Sequence, residues 1–162
     1  MYERRPTPSL IAPIAVALVA AAALAGPLRA ADSAPPCTVD PSRQRVAVAL
    51  DAPDAQAVVA VRVSLAYDPA ALRLPELGGG DAVRARLTPA GGAALIANNV
   101  DRALHVVASK PAGLTLGPLF QVDFDRCTGV QIAAPRDLQC VVDSCASVGG
   151  PLDGCTCTAT LR

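Results

Sequence analysis

Two stretches of this chain alternate apolar and polar side chains with a period of two. Val59, Val61, Val63, Leu65 and Tyr67 fall on one face of the first, with Arg62 and Ser64 on the other. In the second, from Leu119 to Asp125, Phe120, Val122 and Phe124 share a face. Successive side chains of a strand point to opposite sides, whereas a helix needs apolar spacings of three and four. Both stretches therefore predict half-buried strands with these residues inward. Arg45 to Leu50 repeats the pattern through Val46, Val48 and Leu50.

Weaker strands are expected at Val83 to Leu87, Ala93 to Ala97, Ala103 to Ala108, Val130 to Ile132, Leu138 to Val142 and Thr156 to Leu161. Turn chemistry separates them. Asp51-Ala52-Pro53-Asp54, Asp68-Pro69, Gly78-Gly79-Gly80, Gly91-Gly92 and Asn98-Asn99-Val100-Asp101 all break regular pairing. Short strands at this spacing, with no convincing long helix after the leader, predict an all-β antiparallel sandwich or barrel.

The first 30 residues carry a different pattern. Arg4 and Arg5 precede an apolar run from Leu10 to Leu24, interrupted only by Pro13 and closed by Gly26-Pro27. The run is shorter than the roughly 20 residues a membrane span requires. It reads as a secretory signal peptide over residues 1–30, cleaved after Ala30. Residues 31–162 then form one exported domain, with no membrane association after cleavage. Pro27 stands where a lipidated Cys would be needed. Residue usage rich in Ala, Arg, Val and Pro fits a bacterium with GC-rich DNA.

All six cysteines follow the leader: Cys37, Cys127, Cys140, Cys145, Cys155 and Cys157. An even count behind a signal peptide predicts disulfides in an oxidising compartment, extracellular or periplasmic. Cys155 and Cys157 are two apart in a strand-like stretch, so they share a face and cannot easily bond each other. Their nearest partners are Cys140 and Cys145, across a turn at Gly149-Gly150-Pro151. That leaves Cys37 for Cys127. Which of Cys155 and Cys157 takes which partner stays open, and four thiolates on zinc are the alternative.

Composition narrows the chemistry. Aromatic residues are 2% of the chain, against 52% hydrophobic, so the core is built of Val, Leu, Ala and Ile and gains from covalent staples. Net charge is zero and Lys110 is the single lysine, which argues against nucleic acid as a partner. The one histidine, His105, sits within an expected strand and reads as structural or surface. There is no Gly-x-Ser-x-Gly elbow, phosphate loop or EF-hand spacing. Asp123 and Asp125 lie two apart on an outward strand face and read as solvated acids. No catalytic residue, metal ligand or cofactor is assigned.

One segment resembles a known family. Val61 to Leu72, Val-Arg-Val-Ser-Leu-Ala-Tyr-Asp-Pro-Ala-Ala-Leu, is similar to the cohesin strand that ends in a Tyr-Asp-Pro turn. Leu116 to Phe124 resembles that family's Gly-x-Leu segment and the alternating strand it opens. The likeness spans roughly residues 38–125, and the Cys-rich part from Cys127 departs from it. It implies a jelly-roll β-sandwich of about nine strands, a fold shared with carbohydrate-binding modules. It implies a non-catalytic module that docks a dockerin-type protein, with a link to polysaccharide breakdown. A carbohydrate-binding module or a structural cell-surface domain is the alternative. The ligand-binding residues are left unassigned.

Overall fold

The computed structural model describes residues 37–53, 58–130 and 138–162. The leader over residues 1–30, Asp54 of the first expected turn, and Gln131 and Ile132 lie outside the described residues. In chain order the strands are β1 (Val39–Asp51), β2 (Val58–Tyr67), β3 (Leu72–Arg73), β4 (Leu87–Pro89), β5 (Ala94–Val100), β6 (Ala103–Ser109), β7 (Gly117–Cys127), β8 (Leu138–Ser147), β9 (Gly150–Pro151) and β10 (Thr156–Leu161). One short helix, α1 (Asp81–Arg84), precedes β4.

The strands form two antiparallel sheets. In the first, the order is β10-β1-β7-β3, with β4 also paired to β7. In the second it is β5-β6-β2-β8-β9. Alternation places the core between them. Val46, Val48 and Leu50 of β1, Val61, Val63 and Leu65 of β2, and Val122 and Phe124 of β7 are all buried in one cluster. Tyr67 of the second sheet meets Phe124 of the first, ring centroids 4.9 Å apart. All three expected inward aromatics, Tyr67, Phe120 and Phe124, are buried.

Bulges shift two of the alternations. Between Val58 and Ala60 the β2–β8 register slips, so Val58 is buried and Val59 only half-buried, where alternation alone had put Val59 inside. In β7, Val48 faces Phe120 and Ala49 faces Pro118, which leaves Leu119 as the extra residue. Leu119 and Phe120 consequently both point into the core.

Two expectations are corrected. Of the strand expected over Val83 to Leu87, only Leu87 is in one, as the first residue of β4. Asp81–Arg84 makes one helical turn, with the Ala85 N–H donating to the Asp81 carbonyl at 2.9 Å and Val83 buried beneath it. A five-residue window of alternation cannot outweigh a local turn that buries its one large apolar residue. Likewise Asn98 to Asp101 is not the turn. β5 runs through Val100, which pairs with Ala103, and the chain reverses at Asp101-Arg102. Asn99 belongs to the strand because its side chain is a buried hydrogen-bonding hub. It accepts the Tyr67 hydroxyl and donates to the Glu76 carbonyl, both at 2.7 Å.

The Gly78-Gly79-Gly80 loop covers the free edge of β5. Gly78 and Asn99 exchange backbone hydrogen bonds of 2.7 and 2.8 Å. A side chain at Gly79 would put its Cβ 2.7 Å from the Ala97 carbonyl oxygen, closer than packing allows.

All six cysteines are bonded: Cys37 to Cys127, Cys140 to Cys157, and Cys145 to Cys155. No thiolate is left for zinc. Three disulfides fit an oxidising environment. The first ties the start of β1 to the end of β7. The other two are nested, as a chain that runs out along β8, turns at β9 and returns in β10 requires. They link the second sheet to the first along a side where β10 is an edge strand and β8 has only the two-residue β9 beyond it.

We expect the Cys37→Ser/Cys127→Ser double variant to lose about 4–5 kcal/mol of stability, because that bridge closes a loop of sequence separation 90. Equilibrium urea unfolding checks this, and a loss under about 1 kcal/mol would contradict the entropic account.

Candidate functional site

The two outer faces of the sandwich differ in chemistry. On the first sheet, Arg45 of β1 reaches across to its register partner Asp123 of β7 with hydrogen bonds of 2.7 and 3.0 Å. Arg86, just before β4, holds Asp125 through bonds of 2.7 and 3.2 Å. The two acids read as solvated are each clamped by an arginine from a neighbouring strand segment. Such forked pairs satisfy both carboxylate oxygens. The two hydrogen bonds from Arg45 hold the Asp123 carboxyl below its ordinary value of 3.8.

The same face has a hollow of about 400 Å³. Its cause is local sequence. Ala47 and Ala49 offer small side chains on β1, and the Leu119 bulge turns inward a side chain that regular pleating would have pointed out. Thr158 and Thr160 of β10 stand on one side, and Thr88 and Gln121 on the other.

On the second sheet the outer surface is open and largely uncharged. Register rows run across four strands. Ile96, Val107, Arg62 and Ser144 form one, and Asn98, His105, Ser64 and Val141 the next. Ile96 is 73% exposed, Val141 56%, and Val107 and Val100 37% each, so four aliphatic side chains face water on one sheet. Between them lies a polar strip. The Ser64 hydroxyl donates to the Asp143 carboxylate at 2.6 Å and meets His105 Nδ1 at 2.7 Å. Arg62 Nε sits 3.8 Å from the same carboxylate.

Asp143 reaches this strip because it is a bulge residue. Arg62 pairs with Ser144 and Val63 with Val142, so Asp143 has no partner in the ladder, and it stands on the outer face beside Ser144. Sequence reasoning placed Arg62 and Ser64 outward and His105 in a strand. It did not connect them and did not single out Asp143. A bulge inserts one residue without a composition signal, and cross-strand partners are invisible before register is known.

A hydroxyl has one hydrogen, and Ser64 gives it to Asp143. The Ser64–His105 contact therefore requires Nδ1–H to donate to Oγ. This is the reverse of a nucleophilic serine, whose proton is directed at the imidazole. Among the described residues no group of three or more His, Cys, Asp or Glu side chains is gathered as for a metal ion. None of their helices is long and apolar enough to cross a membrane.

A second concavity, of about 310 Å³, opens at the end of the sandwich behind the Tyr67-Asp68-Pro69 turn. Tyr67 and Asn99 are in its lining, and burial pushes the Tyr67 hydroxyl above its ordinary value of 10.0.

The Arg45–Asp123 clamp has a pH signature. A carboxyl with a depressed folded pKa adds stability above its unfolded pKa and loses it as pH falls through the folded value. We expect this contribution to be constant at neutral pH and to decline below about pH 4. Urea unfolding from pH 7 to 2 should show a shallower acid decline for Asp123→Asn than for wild type. Parallel declines would contradict it.

Neither a family model, nor a curated protein, nor a solved structure matches this chain.

Proposed function

We propose that this chain is an exported, non-catalytic binding module that docks a protein partner on the outer face of the β5-β6-β2-β8 surface. The observation that carries this reading is the pairing of exposed Ile96, Val107 and Val141 with the hydrogen-bonded Arg62–Ser64–His105–Asp143 strip. Aliphatic contact area around a few fixed polar groups is the composition of a specific protein interface. The strip is fixed before binding, because its side chains already hold one another, which lowers the ordering cost of association. On the opposite face the arginines Arg45 and Arg86 are already occupied by Asp123 and Asp125.

The resemblance of Val61 to Leu72 and of Leu116 to Phe124 to cohesins names the partner class as a calcium-loaded dockerin-type module. Export is supported by the Arg4-Arg5 leader and by three disulfides. The direction of the Ser64 proton supports a binding role over a hydrolytic one.

A polysaccharide is the second reading, and the hollow over Ala47 and Ala49 is the observation that favours it. Its threonine and glutamine rims offer hydrogen bonds to sugar hydroxyls. Against it, Tyr67, Phe120 and Phe124 are all buried, so none of them is free to stack on a sugar ring.

Isothermal titration of the mature domain against a panel of calcium-loaded dockerin modules tests the docking reading. We expect binding by at least one, weakened about tenfold or more by Ile96→Asp or Val107→Asp. Exposed strand positions of this kind change stability by only about 0.5 kcal/mol, so unfolding midpoints should stay close to wild type. Binding by no dockerin, or binding indifferent to both variants, would count against it.

A further inference from the structure

The pocket at the end of the sandwich has a floor and a rim of different character. Its floor is almost fully buried: Tyr67 is 7% exposed and Asn99 2%. The Tyr67 hydroxyl gives its proton to Asn99 Oδ1, which leaves the phenolic oxygen free as an acceptor. Asn99 Nδ2 spends one hydrogen on the Glu76 carbonyl, and its second finds no partner among the described residues. An acceptor and a donor thus stand side by side at the bottom of a concavity. That pair is the complement of a hydroxyl group, which both donates and accepts. Pro75 and Leu77, both exposed, supply an apolar wall.

The rim is charged. Arg73 and Arg102 both border the pocket, and neither is in an ion pair among the described residues. Arg45, Arg62, Arg84 and Arg86 each have a carboxylate partner, whereas Arg43, Arg126 and Arg162 are likewise unpaired among the described residues but lie away from this pocket. Glu76 and Asp101 also border the mouth, so the rim is electrically balanced. A dense polyanion such as a phosphate would meet these acids. A ligand with one carboxylate and several hydroxyls would satisfy both signs.

Arg102 adds an independent indication. Its φ of 64° is in the left-handed region, and it is the sole non-glycine residue there among the described residues. Glycine or asparagine ordinarily takes such a position. The fold uses only the Arg102 backbone, whose carbonyl accepts the Tyr67 N–H at 3.0 Å. Any residue would supply that carbonyl, and glycine would do so with less strain. The guanidinium is the part of Arg102 that the fold leaves unused, and Arg102 is an exposed residue of the pocket lining.

We propose that this pocket binds a hydroxylated carboxylic acid of one-ring size: a hexuronic acid, free or at the end of an acidic glycan. Arg73 and Arg102 take the carboxylate, Tyr67 and Asn99 take a ring hydroxyl, and Pro75 and Leu77 pack against the ring's C–H face. A volume of about 310 Å³, at the small end of ligand pockets, has room for such a ring. The site is separate from the docking surface and stands or falls without it.

NMR titration of the whole exported domain tests the proposal, with glucuronate, galacturonate, a trimeric uronate, glucose and acetate as probes. Uronates should shift the Tyr67 and Asn99 resonances saturably, while glucose and acetate, each lacking one half of the chemistry, should not. A trimer that binds as tightly or tighter identifies a glycan end, and a weaker one identifies the free acid. Arg102→Gly and Arg73→Gln should each weaken uronate binding about tenfold or more, the loss of one charge-assisted contact. Arg102→Gly should at the same time leave the unfolding midpoint unchanged or raise it, which a purely structural arginine would not do. Arg84→Gln, away from the pocket, should bind as wild type does. No saturable shift with any uronate, equal binding of glucose, or full binding by Arg102→Gly would overturn the site.

Discussion

The two sheets share one dry interior made almost entirely of small aliphatic side chains, and every other feature depends on it. Burying a valine or leucine is worth roughly 1.5–3 kcal/mol, and this core has few larger groups to add. Phe120 and Phe124 are fully enclosed, and Tyr67 touches Phe124 from the opposite sheet. The closure is weakest where β8 and β10 come together, since little backbone pairing continues beyond either strand. There two of the three disulfides cross from sheet to sheet. Covalent bonds thus stand where the aliphatic core has least to offer.

That closure fixes the registers, and the registers make the surfaces. With β8 held against β2, the extra residue between Val142 and Ser144 has one outlet, the outer face, and Asp143 arrives beside Ser64. With β7 held against β1, the Leu119 bulge buries a second consecutive side chain and hollows the opposite surface. The buried Tyr67–Asn99 bond follows from the same packing. It sets the floor of the end pocket while joining β2 to β5 within their sheet. Three concave or open surfaces thus trace to two bulges and one buried polar pair.

Much of this was legible in the chain. Val46 to Leu50, Val61 to Tyr67 and Phe120 to Phe124 announce strands by alternation, because a half-buried strand can satisfy its two environments in no other way. The cysteine groupings follow from which residues share a strand face. What stayed hidden depends on pairing. Arg45 with Asp123, Arg86 with Asp125 and Ser64 with Asp143 are separated by 39 or more residues, and only register unites them. Bulges at Val59, Leu119 and Asp143 each insert a residue that no local pattern marks. Val83 to Leu87 misled because an alternating five-residue window also fits a helical turn followed by a strand. Asn98-Asn99 misled because asparagine favours turns unless, as for Asn99, a buried partner holds it in a strand.

The shared interior predicts one covalent pattern along its weakest side. Tandem mass spectrometry of the unreduced protein, with fragmentation between Cys155 and Cys157, resolves it. Nested Cys140–Cys157 and Cys145–Cys155 bonds are the outcome required by β8 and β10 facing each other across one core. Crossed bonds, Cys140 to Cys155 and Cys145 to Cys157, or free thiols at these positions, would contradict that arrangement.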